Sequence, residues 1–449
     1  MKKNIASAAV ALSLFLSAGL PAVEASAQAT EPPKRELRSV WLTTYLCIDW
    51  PSSDSRGTSE AKQAQMKKEL LAYLDNHQKR NFNGVCLQVR SMADAFYKSS
   101  YEPWSQYLTN TRGAEPGWDP LAFAVEECHK RGLECWAWIN PYRFNRGNAA
   151  RDTEYDKEYI SKGWIISHNG YAVFNPGLEE VRQHNLRVIR EIYTNYAVDG
   201  ILFDDYFYPN DIPYKSDDAM AAEDWEDYQE QVPGGAPGKI NDWRRENIAK
   251  FVRQLREQVD ADRPDMRFGI SPAGVAGKSA PQYGLSAPPI SSSDWQYESI
   301  CSDPLKWLSD GSIDFISPQI YWFATPGTGG YSSAAPYTPL AKWWSDIAKH
   351  FGRHFYSSQA PYRMCDGNGS PVYNNESSWE DLSKQISLNR EYTLDNAPGS
   401  IFYSAKYMDG PLCSGWGDYL LEHSFYQEPC ASDVVEGTPG ICRSCQSCP

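Results

Sequence analysis

Val198-Asp199-Gly200-Ile201-Leu202-Phe203-Asp204-Asp205-Tyr206-Phe207-Tyr208-Pro209 ends a short apolar run in two adjacent carboxylates surrounded by aromatic rings. Three apolar residues after a glycine are too few for a helix and predict a buried parallel strand. Side chains alternate along a strand, so positions 200, 202 and 204 share one face and 201, 203 and 205 the other. Asp204 and Asp205 therefore converge only if the chain bends as the strand ends. Such a pair also has a plain role, one acid capping the next turn while the other is solvated.

Outward from this stretch, strand-like and helix-like segments alternate. Strands are predicted at Arg38–Thr44, Gly84–Arg90, Leu133–Asn140, Gly200–Asp205, Arg267–Ser271, Phe315–Tyr321, His354–Gln359 and Ser400–Tyr407. Helices are predicted at Ser59–Arg80, Asp119–Arg131, Leu178–Tyr196, Asn241–Val259, Pro304–Leu308, Pro339–Phe351, Ser377–Tyr392 and Trp416–His423. Eight such units predict an α/β fold, a (β/α)8 TIM barrel over residues 36–425 with a long acidic loop after strand four, rather than a doubly wound sheet. No short fixed repeat suggests a solenoid.

A barrel imposes a parity. Outward strand residues meet the helices and must be apolar, while inward residues near the carboxyl end are free to be polar. Val85, Leu87 and Val89 alternate with Cys86, Gln88 and Arg90; Phe268 and Ile270 alternate with Gly269 and Ser271; Phe315, Ser317, Gln319 and Tyr321 share a face. In the fourth strand the same rule turns Leu202 and Asp204 inward. Arg90, Asn140, Asp204, Ser271, Gln319 and Tyr321 are thus expected to meet at the carboxyl-terminal mouth. Individually each has an ordinary alternative: Arg90 as a helix cap, Gln319 bonded to backbone, Tyr321 in the core. Trp41, Trp138, Tyr142, Tyr206, Phe207, Tyr208, Tyr321 and Trp322 give that mouth many rings. Aromatic faces stack on the C–H faces of sugars while amides and charges take their hydroxyls, so the combination points to carbohydrate; filling of irregular volume beneath loops accounts for about half of such rings.

The chain has 449 residues, 41% apolar, with 16 Trp and 28 Tyr, enough for a substantial core. A net charge of −14 leaves no basic surface to neutralise phosphates and argues against a nucleic-acid partner. The seven histidines lie mostly in helices or loops and offer no strand-end cluster, which makes a metal-dependent hydrolase improbable and predicts no metal and no cofactor.

Met1-Lys2-Lys3, an apolar stretch from Ala8 to Leu20 and Ala25-Ser26-Ala27 form the three regions of a secretory signal peptide over residues 1–27. The expected product is an exported bacterial protein, periplasmic or extracellular, without an integral membrane segment. Cys86 and Cys135 fall in strands as small buried apolar residues. Over 426–449, Cys430, Cys442, Cys445 and Cys448 make a Cys-rich tail, for which disulfides are favoured over zinc.

Several strings carry a resemblance. Arg38-Ser39-Val40-Trp41-Leu42-Thr43-Thr44 with Asp49-Trp50-Pro51-Ser52, Gln88-Val89-Arg90, Trp138-Ile139-Asn140-Pro141-Tyr142-Arg143, Phe174-Asn175-Pro176-Gly177, Asp199–Pro209 and Ser317-Pro318-Gln319-Ile320-Tyr321-Trp322 resemble the glycosyl-hydrolase-like 10 family over most of residues 36–410. The resemblance implies a barrel glycosidase acting on peptidoglycan glycan strands stripped of peptides. Carried over by position, Asp204 falls where the wider α-amylase-type superfamily has its strand-four nucleophile, and Arg90, Asn140, Gln319 and Tyr321 fall in substrate-binding positions. Gln88, Trp138, Tyr142, Arg143, Asn175, Tyr206, Tyr208, Ser271 and Trp322 complete the expected binding set. The chain departs from the family by ending in the Cys-rich tail in place of a further module.

Three mechanisms stay open at this stage. Retention through a protein nucleophile needs two carboxyls about 5 Å apart, and inversion needs a wider gap. Tandem acids also resemble enzymes in which the substrate's N-acetyl group attacks the anomeric carbon. Asp204 would then orient the amide and Asp205 act as acid, its pKa raised by its neighbour and by burial. Competing acids are Asp211, Asp217, Asp218, Glu223, Asp224, Glu226, Asp227 and Glu230 in the loop after strand four, and Glu298. A non-catalytic carbohydrate-binding barrel, or action on another N-acetylated or dietary polysaccharide, is the alternative.

Overall fold

The computed structural model describes residues 35–147, 151–290, 294–324, 337–364, 375–393 and 397–409, with isolated positions 418, 420, 422 and 426. The leader expected over 1–27, the four tail cysteines and most of the helix expected over 416–423 lie outside the described residues. Twelve strands are described: β1 (Leu37–Leu42), β2 (Gly84–Arg90), β3 (Glu134–Ile139), β4 (Arg143–Arg146), β5 (Ile165–His168), β6 (Tyr171–Phe174), β7 (Gly200–Phe203), β8 (Arg267–Ile270), β9 (Phe315–Ile316), β10 (His354–Phe355), β11 (Ser357–Gln359) and β12 (Gly399–Tyr403).

Nine of these pair in parallel in the order β10-β9-β8-β7-β3-β2-β1-β12-β11. Only Tyr356 separates β10 from β11, and its N–H still donates to the Ile316 carbonyl of β9 at 3.0 Å. The two ends of the order are therefore halves of one strand, and eight strands close a (β/α)8 ring. Helices Glu60–Lys79, Pro120–Lys130, Glu179–Asn195, Ile240–Asp262, Pro304–Ser309, Tyr337–His350 and Asn375–Tyr392 follow the strands. Their starts are written locally: Asp119 and Asp303 cap helices that open with Pro120 and Pro304, where the ring's missing N–H costs nothing.

Strand parity sorts the apolar residues into two shells. Leu37, Trp41, Cys86, Trp136, Trp138, Leu202, Phe315, Tyr356 and Ile401 fill the interior. Val40, Leu42, Val85, Leu87, Ile139, Ile201, Phe203, Phe268, Ile270 and Phe402 face the helices. Glycines open the space for the large inner rings. A Cβ on Gly269 would lie 2.2 Å from the Phe315 ring, and one on Gly399 would lie 2.2 Å from Tyr356.

Two segments differ from expectation. The last strand stops at Tyr403, not Tyr407, and the chain turns into a short helix, Ala405–Asp409. Between β3 and the helix Glu179–Asn195 the chain builds an antiparallel sheet, β4-β6-β5, that the sequence reading passed over. Each strand has only four residues, too short for a clear period. The hairpin signal was nonetheless present: Asn169-Gly170 joins β5 to β6, both at positive φ (49° and 77°) as a two-residue hairpin turn requires.

The acidic segment after β7 is pinned rather than free. Arg244 on the helix Ile240–Asp262 holds Asp224 through two bonds of 2.8 and 2.5 Å, and both side chains are fully buried.

Candidate active site

A cavity of about 410 Å³ opens at the carboxyl ends of the ring strands. Its wall comes from Trp41 of β1 and Thr43, Tyr45, Leu46 and Ile48 after it; Gln88 of β2; Trp138 of β3; Arg143 and Arg146 of β4; Asp204 and Tyr206 after β7; Gln319 and Tyr321 after β9; Tyr362; and Tyr403 of β12. Asp204 is the one carboxylate among these lining residues.

Its orientation is fixed from three sides. Oδ1 accepts from the Asp205 backbone N–H at 2.7 Å and from Gln319 Nε2 at 3.3 Å, and Oδ2 accepts from Asn140 Nδ2 at 3.1 Å. Asn140 is in turn set by Gln88, whose Nε2 donates to Asn140 Oδ1 at 2.8 Å while its own Oε1 accepts from the backbone N–H groups of Thr44 and Tyr45. Two rigid main-chain donors thus determine which way both amides face, and the last amide N–H points at the carboxylate.

Asp205 is in a different state. It is only 7% exposed, and its Oδ1 is buried with no hydrogen-bond partner. Burial, reinforced by the Asp204 charge beside it, pushes its carboxyl well above the usual range. The tandem acids therefore differ: Asp204 is a clamped acceptor, and the surroundings of Asp205 favour its protonated form.

Trp41 meets Trp138 edge to face at 4.7 Å, and Tyr321 stacks on Tyr403 at 6.1 Å with Tyr362 edge-on to both. One wall is thus rings with fixed faces, the other amides and arginines. Behind it, Asp49 accepts from Thr43 N–H, Ser404 Oγ and Lys406 N–H at 2.8, 2.7 and 3.0 Å. That places the Asp49-Trp50 string as a tie between the ends of β1 and β12.

Of the expected site residues, the fold brings Gln88, Trp138, Arg143, Asp204, Tyr206, Gln319 and Tyr321 to the cavity wall. Asn140 and Ser271 lie beneath it, Asn140 bonded to Asp204 and Ser271 lending its carbonyl to Gln319 Nε2 at 3.2 Å. The remaining four expected binding positions are corrected, together with Arg90. Register slips between Gln88 and Arg90, so that Arg90 pairs with the outward Ile139. One extra residue inverts the parity. Arg90 is fully buried on the outer face, ion-paired with Glu102 and bonded to Asn185 of the helix Glu179–Asn195. Tyr142 packs on Phe207 and Phe251 in the helical shell. Tyr208 is buried beside Arg244. Asn175 donates to Asp227 and caps Gly177. Trp322 turns to an adjoining depression with Phe323 and Gln385.

Asp205, expected as the acid, is buried behind Asp204 and does not line the cavity, and none of the competing acids lines it either. Asp211 accepts from Ser299, Glu223 from Ser167, and Glu298 pairs with Lys278. His350 and His354, four residues apart, sit at the opposite rim, where burial lowers His354 to about 4. Among the described residues no group of three or more His, Cys, Asp or Glu is placed to hold a metal ion. Sequence reasoning missed Tyr45, Arg146, Tyr362 and Tyr403. Parity from Ile401 pointed to Tyr403; Arg146 needed the overlooked sheet.

A closed (β/α)8 ring whose carboxyl mouth joins a clamped carboxylate to stacked aromatic rings has the architecture of carbohydrate-active barrels. The comparisons agree: the chain belongs to the glycosyl hydrolase-like 10 family, whose match spans residues 36–381. It is 37% identical over 380 residues to Glycosyl hydrolase YngK of Bacillus subtilis, covering 83% of this chain and 68% of that one. It is 30% identical over 410 residues to Glycosyl hydrolase DigH of Escherichia coli K12, covering 87% and 88%. Among solved structures, the glycoside hydrolase domain of PgaB (BpsB) from Bordetella bronchiseptica superposes with a TM-score of 0.53 at 13% identity, over 88% of this chain and all of that one. The catalytic domain of a Paenibacillus polymyxa beta-amylase gives 0.50 at 10%, over 88% and 99%, a likeness of fold.

Proposed function

We propose that this protein is an exported glycosidase that cuts N-acetylated bacterial polysaccharide, with peptide-free peptidoglycan strands as its substrate. The observation that carries the reading is the contrast between the tandem acids: Asp204 is held as an acceptor on the cavity wall, while Asp205 is buried beside it with an unpartnered Oδ1 and a carboxyl pushed well above its usual range. Kinship with two proteins named glycosyl hydrolases supports the reaction class.

With one carboxylate lining the cavity among the described residues, a protein nucleophile facing a separate wall-mounted acid has little support. The reading favoured is attack by the substrate's own acetamido oxygen on the anomeric carbon. Asp204 accepts the amide N–H and aligns it. As the C1–O bond breaks, Asp205, which lies behind Asp204 and off the cavity wall, turns its side chain to the leaving oxygen and gives up its proton, and the acetamido group closes on C1 as an oxazolinium. Water then opens that ring, losing its proton to Asp205, which restores both groups. Trp138 and the Tyr321–Tyr403 pair supply faces for the sugar rings.

Incubating the protein with peptide-free glycan strands tests this. New reducing ends are expected; binding without them would favour the non-catalytic alternative.

A further inference from the structure

The chain carries a net charge of −14, which repels polyanions at long range, yet part of the cavity wall is cationic. Arg143 and Arg146 both line it, delivered by β4. The Arg143 guanidinium lies over two rings, 4.9 Å from the centre of Tyr45 and 4.3 Å from that of Tyr206, with the residue only 9% exposed. Stacking engages the planar face of a guanidinium and leaves its N–H edge for an acceptor.

Several other buried arginines hold a carboxylate. Arg90 holds Glu102, Arg112 holds Asp156, Arg244 holds Asp224 and Arg390 holds Glu36. At Arg143 and Arg146 no carboxylate among the described residues lies within ion-pair distance. Asp204, the acid on the same wall, is bonded instead to Asn140, Gln319 and the Asp205 backbone. Arg143 lines the same cavity as Asp204, and its guanidinium lies over the ring of Tyr206, the residue that follows the tandem acids.

Resting on the glycosidase reading above, we propose that Arg143 and Arg146 form an anion subsite that takes a carboxylate carried by one sugar of the glycan. Guanidinium pairs with carboxylate through parallel N–H donors, and does so most strongly where rings exclude water. In a peptide-bearing peptidoglycan strand the lactyl carboxyl is an amide, neutral and bulky. Removing the peptide exposes a carboxylate, so the two arginines distinguish stripped strands from substituted ones by charge.

The test is equilibrium binding of the whole protein to three polymers. These are peptide-free strands, the same strands with carboxyls reduced to alcohols, and a copolymer of N-acetylglucosamine and glucuronate that carries its carboxylate on the ring. Wild type is expected to bind intact strands about tenfold to a hundredfold more tightly than reduced ones, the scale of a charge-assisted hydrogen bond. Arg143→Gln and Arg146→Gln are expected to abolish that ratio while keeping affinity for reduced strands. Because Arg146 is exposed, its variant reports even if Arg143→Gln misfolds. Tighter binding of the copolymer than of reduced strands assigns the subsite to ring carboxylates as well; weaker binding assigns it to the lactyl group. Equal wild-type affinity for intact and reduced strands, or binding to neither, overturns the subsite. Reducing ends without a carboxylate preference remove the subsite and leave the glycosidase, whereas a preference without reducing ends does the reverse.

Discussion

The backbone N–H of Asp205 donates to Oδ1 of Asp204 at 2.7 Å, so the second acid of the pair holds the first in place with its main chain. Its side chain is meanwhile buried beside the charge it helps to orient. Both acids are needed to define either one: Asp204 raises the proton affinity of Asp205, and Asp205 fixes the direction of Asp204.

Asp205→Asn keeps the shape and removes the proton donor. Turnover on peptide-free strands should fall by a factor of about 10² to 10⁴, the usual share of a positioned acid. In the wild type, activity should be present while Asp205 is protonated and decline as pH rises through its raised pKa. Stability follows the same sign, because the folded form binds the proton more tightly than the unfolded chain, whose value is near 3.8. Its favourable contribution is complete below that value and is lost as pH rises. Melting curves should therefore show Asp205→Asn more stable than wild type at pH 8, with the gap closing by pH 3.5. Near-normal turnover would end the assignment of Asp205 as the acid.

Gln319→Leu removes one donor to Asp204 while leaving Asn140 and the Asp205 N–H in place. A bond to a charged group contributes about 1.5–3 kcal/mol. A drop of about tenfold or more in kcat/KM is expected, with a melting temperature near that of the parent. Unchanged steady-state kinetics would show that Gln319 is not a partner of Asp204 in the working enzyme.

Arg90 and Glu102 should matter to folding and not to substrate. Arg90→Met strands a fully buried carboxylate, at a cost of about 3–5 kcal/mol measured by denaturant titration. The ion pair lowers Glu102 to about 2, from 4.5 in the unfolded chain. Its contribution is thus present above about pH 4.5 and disappears as pH falls toward 2, so wild type and Glu102→Gln should converge in acid. A KM increase in correctly folded Arg90→Met would return this arginine to the substrate.

Gly269→Ala places a methyl 2.2 Å from the Phe315 ring inside the ring of strands. Overpacking of this kind costs about 1–3 kcal/mol. Adding Phe315→Leu should recover part of the loss, which is non-additive because the two side chains share one space. Additive losses in the double variant would place the clash elsewhere.

How much of this was legible beforehand differs residue by residue. Alternation along Gly200–Phe203 sends Leu202 and Asp204 inward, and the same rule found Gln88, Trp138 and Gln319, because a strand's period of two is set by its own backbone. It failed at Arg90, where one bulged residue turns the side chain outward and nothing local announces the slip. Tyr142, Tyr208 and Asn175 sit in strings that carry the family resemblance, but those strings also hold packing residues, and composition does not separate the two.

Sequence by itself determined the count of eight strands, the inward face of those whose alternation is unbroken and the position of the tandem acids, all of which are matters of periodicity and chain order. Only the tertiary structure decided that Asp205 is buried where its carboxyl is pushed up, that Gln88 sets Asn140 and Asn140 aims at Asp204, and that an overlooked three-stranded sheet carries Arg146 to the cavity. Those properties depend on burial and on hydrogen bonds between residues up to 115 positions apart, as between Gln319 and Asp204, and distance through space is not written in the order of the chain.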